Sequence, residues 1–125
     1  MAERADIEKF IGATFRSVWA LELLCMLRNH DGGRMSQDEM VAGLRGSNMI
    51  VAQSVGMLSA AGLVIVDEQG VVTYRPSDKK LDAIVGEAEQ LYVKSPDAVR
   101  RIIASSWNPG IAAFADAFKL RKDDE

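Results

Sequence analysis

The sequence predicts a mainly helical α+β domain, in which helices at both ends flank a core that carries one short β-hairpin. Three observations support this. A reciprocal cap opens a short helix at Ser36, and a tight turn at Gly46-Ser47-Asn48 separates it from the next helix. Two β-branched runs, 63–66 and 71–75, enclose the polar turn Asp67-Glu68-Gln69-Gly70. Residues 79–94 keep apolar side chains at helical spacing throughout (Leu81, Ile84, Val85, Ala88, Leu91, Tyr92).

Taken in order, residues 7–27 read as one long helix. They hold no Pro and a single Gly12, and Ile7, Phe10, Ile11, Phe15, Val18, Trp19, Leu23, Leu24 and Leu27 recur every three or four positions. From Val18 to Leu27 the only polar residue is Glu22, so this end is expected to be buried on more than one side, against the core and against a partner subunit or the C-terminal helices. Arg28, Asn29 and His30 followed by Gly32-Gly33 make a helix stop.

Ser36-Gln37-Asp38-Glu39 is a capping box, and the helix after it should turn Met40, Val41 and Leu44 inward and end at Gly46. Ser47 or Asn48 caps a third helix to about Ala60, with Ile50, Val51, Val55, Leu58 and Met57 as its apolar positions and Gly62 as a left-handed stop. Pro76 closes the hairpin, and Ser77 or Asp78 caps the amphipathic helix over 79–94. Pro96 suits the first turn of a fifth helix bearing Val99, Ile102 and Ile103. Asn108-Pro109-Gly110 reads as a turn, residues 111–120 as a last helix aligning Ile111, Phe114, Ala115 and Phe118, and residues 121–125 as a frayed tail.

The chain has 125 residues, 48% of them apolar and 26% charged, which suits one domain spanning 1–125, with a core at about 14–76 and further helices over 77–120. The net charge is −3, so no overall basic excess marks a nucleic-acid partner. No apolar run is long enough to span a bilayer, no secretory-type leader is read at the start, and Cys25 is the only cysteine, so a reduced, cytoplasmic protein is expected. One Cys and one His cannot assemble a usual metal site within one chain, and neither a P-loop nor a Gly-x-Ser-x-Gly elbow is present, so a cofactor-free binding protein is expected rather than an enzyme.

The order helix, short helix, tight turn, helix, hairpin, helices, with the junction Leu58-Ser59-Ala60-Ala61-Gly62-Leu63-Val64, resembles winged helix-turn-helix regulators of the broad MarR-like and ArsR-like bacterial superfamily, over about residues 14–76. That resemblance implies a third helix that enters the major groove of double-stranded DNA, a hairpin wing at the neighbouring groove or phosphates, and terminal helices that make a homodimer. By position it places Ser47, Asn48, Met49, Ala52, Gln53 and Gly56 on or near the recognition face, with Asn48 and Gln53 able to read base edges and Arg45 and Arg75 to touch phosphates. The third helix has no Lys or Arg, however. Over 36–76, Arg45 and Arg75 face Asp38, Glu39, Asp67 and Glu68, a balance of −2. A second reading therefore stands beside the first: a winged helix whose third helix and acidic wing dock on another protein.

The remaining features have plain structural readings. Cys25 is expected to be a buried, inert thiol, His30 to complement a helix dipole, and Trp19 to pack in the core or at a dimer contact. Trp107 is placed to pack the last helix, and Arg100-Arg101 and the group Lys119, Arg121, Lys122 read as solvated cations.

Overall fold

The structure, a computed structural model, describes residues 3–107. The helices are α1 (Arg4–Thr14), α2 (Val18–Asn29), α3 (Gln37–Leu44), α4 (Asn48–Ala60), α5 (Lys79–Lys94) and α6 (Pro96–Trp107). The strands are β1 (Arg34–Met35), β2 (Val64–Val66) and β3 (Val72–Tyr74), and a short turn, Asp31–Gly33, precedes β1. The result is a mainly helical α+β fold around a small three-stranded antiparallel sheet of order β1-β3-β2.

The expected single helix over 7–27 is two helices, α1 and α2, that meet at 109°. Phe15 and Ser17 are extended at the break, and the Ser17 hydroxyl accepts the Ala20 amide at 3.3 Å, capping α2. The bend carries Phe15 into the core, where its ring meets Phe10 edge-on at 5.8 Å between centroids. No Gly or Pro is needed: a buried aromatic followed by a serine cap stabilises the turn better than a straight rod would. The bend also accounts for the nearly all-apolar surface of α2. This helix runs through the middle of the fold and touches α3, α4, β1 and β3, so Ala20, Leu21, Leu23, Leu24 and Leu27 are all buried within the chain itself.

The caps read from the sequence form as expected. Ser36 accepts from the Glu39 amide at 3.2 Å while Glu39 accepts from the Ser36 amide at 2.9 Å. Ser47 accepts from Ile50 at 3.1 Å, and Asp78 from Leu81 at 2.8 Å. The end of α3 differs from expectation. Arg45, not Gly46, takes the left-handed conformation (φ 56, ψ 32), and a Cβ on Gly46 would lie 3.4 Å from the Ile50 side chain. Gly46 thus packs against the start of α4 at ordinary contact distance, and the reversal falls one residue earlier.

The hairpin appears where the β-branched runs predict it, in the register Val64↔Tyr74, Ile65↔Thr73, Val66↔Val72. Asp67 builds its turn: one carboxylate oxygen accepts from the Gln69 and Val71 amides at 2.8 and 3.0 Å, and Gly70 supplies φ 82. Strand β1 is an addition to the sequence reading. It pairs Arg34 with Thr73 and Met35 with Val72, and so puts Met35 into the core.

Helices α5 and α6 have the bounds that the amphipathic period and Pro96 predict, and Val85, Ala88, Val99 and Ile103 close the core. Helix α6 lies on α1 at Gly12, where a Cβ would sit 2.8 Å from the Ser106 hydroxyl. The expected turn at 108–110, last helix at 111–120 and frayed tail lie outside the described residues, as does the expected role of the Trp107 side chain. Among the described residues no single helix is long and apolar enough to cross a membrane.

Candidate functional site

Helix α4 sorts its side chains by period. Val51, Ser54 and Leu58 are buried against the core, and Met49, Ala52, Gln53, Gly56, Ser59 and Ala60 form an exposed stripe. The stripe begins at Met49, which is 68% exposed, and carries no charge. It is small and smooth, since Ala52 and Ala60 end at Cβ and nothing lies within 4 Å of the space a side chain at Gly56 would occupy.

The N-terminal end of this face is polar. Ser47 caps the helix, and Asn48 is exposed, its side-chain oxygen accepting from Gln37 Nε2 at 3.4 Å. Arg45 is exposed in the turn before the helix. The structure therefore brings Arg45, Ser47, Asn48, Met49, Ala52 and Gln53 onto one surface. It leaves Arg75 apart, at the base of the hairpin, where its amide donates to the Leu63 carbonyl at 2.9 Å and its residue shares a shallow cleft with Ser59. The 13 residues of α4 rise about 20 Å, which sets the scale of the distance between the two arginines. Neither makes an ion pair among the described residues.

Three features were not read from the sequence. Pairing of β1 with β3 puts Arg34 directly opposite Thr73, on the same face of the sheet as Arg75, and so adds an exposed cation. A two-residue strand is too short to leave a periodic signal. Gln37 joins the N-terminal end of the face through its bond to Asn48, a contact between residues 11 apart. Finally, the break between α1 and α2 opens a groove of about 960 Å³ beside α4. Phe10, Trp19, Ile50, Met57 and Leu81 supply its apolar lining, while Arg16, Gln53 and Ser54 supply polar groups. Gln53 and Gly56 belong both to this groove and to the exposed stripe.

A partly buried polar network on the far side of α2 holds the hairpin and α5 in place. Arg28 donates to Glu89, and Asn29 donates to the other Glu89 oxygen at 2.5 Å and to the Cys25 carbonyl at 2.7 Å. The Arg28 guanidinium lies 5.6 Å from the Tyr74 ring centre, and the Tyr74 hydroxyl donates to Asp82 at 2.6 Å. Burial, and then that bond to a carboxylate, pushes the Tyr74 phenol up to about 12. Burial, with Glu89 alongside, likewise pushes the Cys25 thiol up to about 12, leaving it protonated and a poor nucleophile. His30 ends α2 and sits 3.5 Å from the Glu39 carboxylate.

The hairpin turn displays Asp67 and Glu68, both exposed, with Asp67 also engaged in its own turn. The surface thus offers an uncharged helix face, cations at its margins and acids on the hairpin. Compared with protein-family models, with curated proteins and with solved structures, the chain gives no match.

Proposed function

We propose that the chain is a winged helix-turn-helix protein that binds double-stranded DNA, as a homodimer formed through its terminal helices, in the manner of a bacterial cytoplasmic transcriptional regulator. It acts by binding, without catalysis. The observation that carries the reading is the presentation of α4: a capped helix follows a tight turn, displays an unobstructed stripe from Met49 to Gly56, and leads directly into a hairpin. The strand β1 between α2 and α3, paired to β3, adds to the support by tying the hairpin to the helices that precede α4.

In this reading Asn48 and Gln53 address base edges, and Met49 and Ala52 make apolar contacts in the groove. Arg45 and Arg75 hold phosphates, and Ser47 lies at the helix N-terminus, whose amides favour a phosphate oxygen. With so few cations the nonspecific affinity is low and the salt slope shallow.

The test is fluorescence anisotropy of the chain against a random duplex pool at low and at physiological salt. Binding should weaken with salt, and Arg45→Ala or Arg75→Ala should each reduce the slope by about 0.9. Gln53→Ala should cost affinity without changing the slope. Absence of binding at low salt, with the chain folded, refutes the reading.

A second reading is favoured by one observation. Met49 is exposed at the head of an uncharged helix, and the wing beyond the helix is acidic. Such a surface suits docking on a protein with a small apolar pocket and a basic rim. In that case Met49→Ala and Asp67→Asn/Glu68→Gln abolish the interaction, and the arginine changes leave it intact.

A further inference from the structure

We propose that the groove between the α1–α2 bend and α4 binds a small neutral molecule, one with an apolar body and a single carbonyl group whose oxygen accepts from the Ser54 hydroxyl. The site stands whether or not the chain binds DNA.

The first observation is Ser54. It is the one polar residue buried among the described residues, at 2% exposed, and it lies between Val51 and Leu58 on the inner side of α4. A serine within a helix can bond back to the carbonyl one turn earlier. This hydroxyl has no hydrogen-bond partner among the described residues, and it is not sealed off, because Ser54 lines the groove. A buried hydroxyl left unpaired lowers stability, and alanine would fill the same place without that loss. A ligand oxygen in the groove satisfies it.

The second observation is Gly56. It lies inside α4 without a positive φ, and a Cβ there would meet nothing within 4 Å. Neither backbone conformation nor packing calls for glycine, although glycine weakens a helix interior relative to alanine. Gly56 lines the same groove as Ser54, and its bare backbone leaves room for an occupant.

The walls define that occupant. The groove holds about 960 Å³, within the range that small ligands occupy. Phe10, Trp19 and Met57 give it apolar faces. Trp19 is 38% exposed, and the Met57 thioether is held at the wall by the Arg16 amide, which donates to Sδ at 3.1 Å. No Asp or Glu lines the groove among the described residues, so nothing there favours a cation. Arg16, its one charged lining residue, already has a partner. An anion would therefore lose hydration without an uncommitted counter-charge, whereas a neutral oxygen needs only hydrogen bonds. A carbonyl oxygen has two lone pairs. The Ser54 hydroxyl serves one, and the side-chain amide of Gln53, which lines the same groove, is a donor for the other.

Camphor has this chemistry, a rigid hydrocarbon body with one carbonyl, and camphorsulfonate carries the same body with an anionic group. In an amide NMR titration of the whole chain, camphor should shift the Ser54, Gly56 and Met57 amides saturably, with Kd below about 1 mM. Camphorsulfonate should bind at least about tenfold more weakly. Ser54→Ala should weaken camphor binding about fivefold, the share of one neutral hydrogen bond, without lowering Tm. A purely structural serine would do the reverse, losing Tm and leaving the affinity alone. Gly56→Leu, which puts a side chain into the open space, should abolish the saturable shifts while the chain stays folded. The proposal is overturned if camphor gives no saturable shift at these amides, if camphorsulfonate binds as tightly as camphor, or if Ser54→Ala leaves the affinity unchanged.

Discussion

Removing Glu89 should unsettle the contact between α2, β3 and α5 more than any exposed ion pair would. Glu89 accepts from both Arg28 and Asn29, and the Arg28 and Glu89 side chains are 24% and 20% exposed. Exposed pairs are worth about 0–1 kcal/mol, whereas breaking a fully buried pair costs about 3–5 kcal/mol, because the surviving charge is stranded. At a fifth to a quarter exposed, with water reaching part of the guanidinium, Glu89→Ala should cost about 2 kcal/mol. Arg28 Nε already lacks an acceptor among the described residues, so the guanidinium has little to fall back on. For a domain of this size that loss lowers Tm by roughly 10 °C. Urea unfolding followed by circular dichroism measures it. The double variant Arg28→Met/Glu89→Leu should recover most of the loss, because it removes the stranded charge along with the pair. A loss below about 0.5 kcal/mol for Glu89→Ala, or a double variant no more stable than the single, would refute the reasoning.

Three further outcomes follow from named contacts. Ser17→Ala removes the cap at the bend and should cost about 1 kcal/mol in urea unfolding, as should Ser36→Ala at the capping box. Arg45→Gly relieves the left-handed residue before α4 and should raise Tm by a few degrees, by about 1 kcal/mol of relieved strain, while lowering the salt slope of the DNA binding proposed above. Opposite signs in the two assays separate fold from function at this residue. The Tyr74 phenol is raised to about 12 by burial and by Asp82, so the folded state holds its proton when the unfolded chain has begun to lose it at its ordinary value of 10.0. Stability that is intact below pH 10 should therefore fall as pH rises from 10 towards 12, and Tyr74→Phe should flatten that fall in pH-dependent unfolding. Tyr92, raised in the same direction by burial and its bond to Glu22, adds to the remaining slope.

Most of the local structure was legible in the residues. Ser36 with Glu39, Ser47 and Asp78 each have a side-chain acceptor one turn before the amide it caps, so the starts of α3, α4 and α5 needed no tertiary information. The β-branched runs around Asp67-Gly70 fixed the hairpin, and the unbroken apolar period set α5 from Lys79 to Lys94. The residues assigned to the α4 face also lie where periodicity puts them, because a helix with Val51 and Leu58 inside must turn Met49, Ala52, Gln53 and Gly56 out. What helix propensity could not show was the bend at Phe15-Arg16-Ser17, since the local sequence tolerates a straight helix and only the core's gain from Phe15 decides against it. With the bend came the groove beside α4 and the burial of Ala20, Leu21, Leu23, Leu24 and Leu27 of α2 within the chain. Strand β1 was likewise decided by its partner: two residues have no period of their own, and Arg34 and Met35 become a strand because β3 offers an open edge. Sequence alone determined the elements whose signals lie within one or two turns. The tertiary structure decided those whose stabilising contacts come from residues far along the chain.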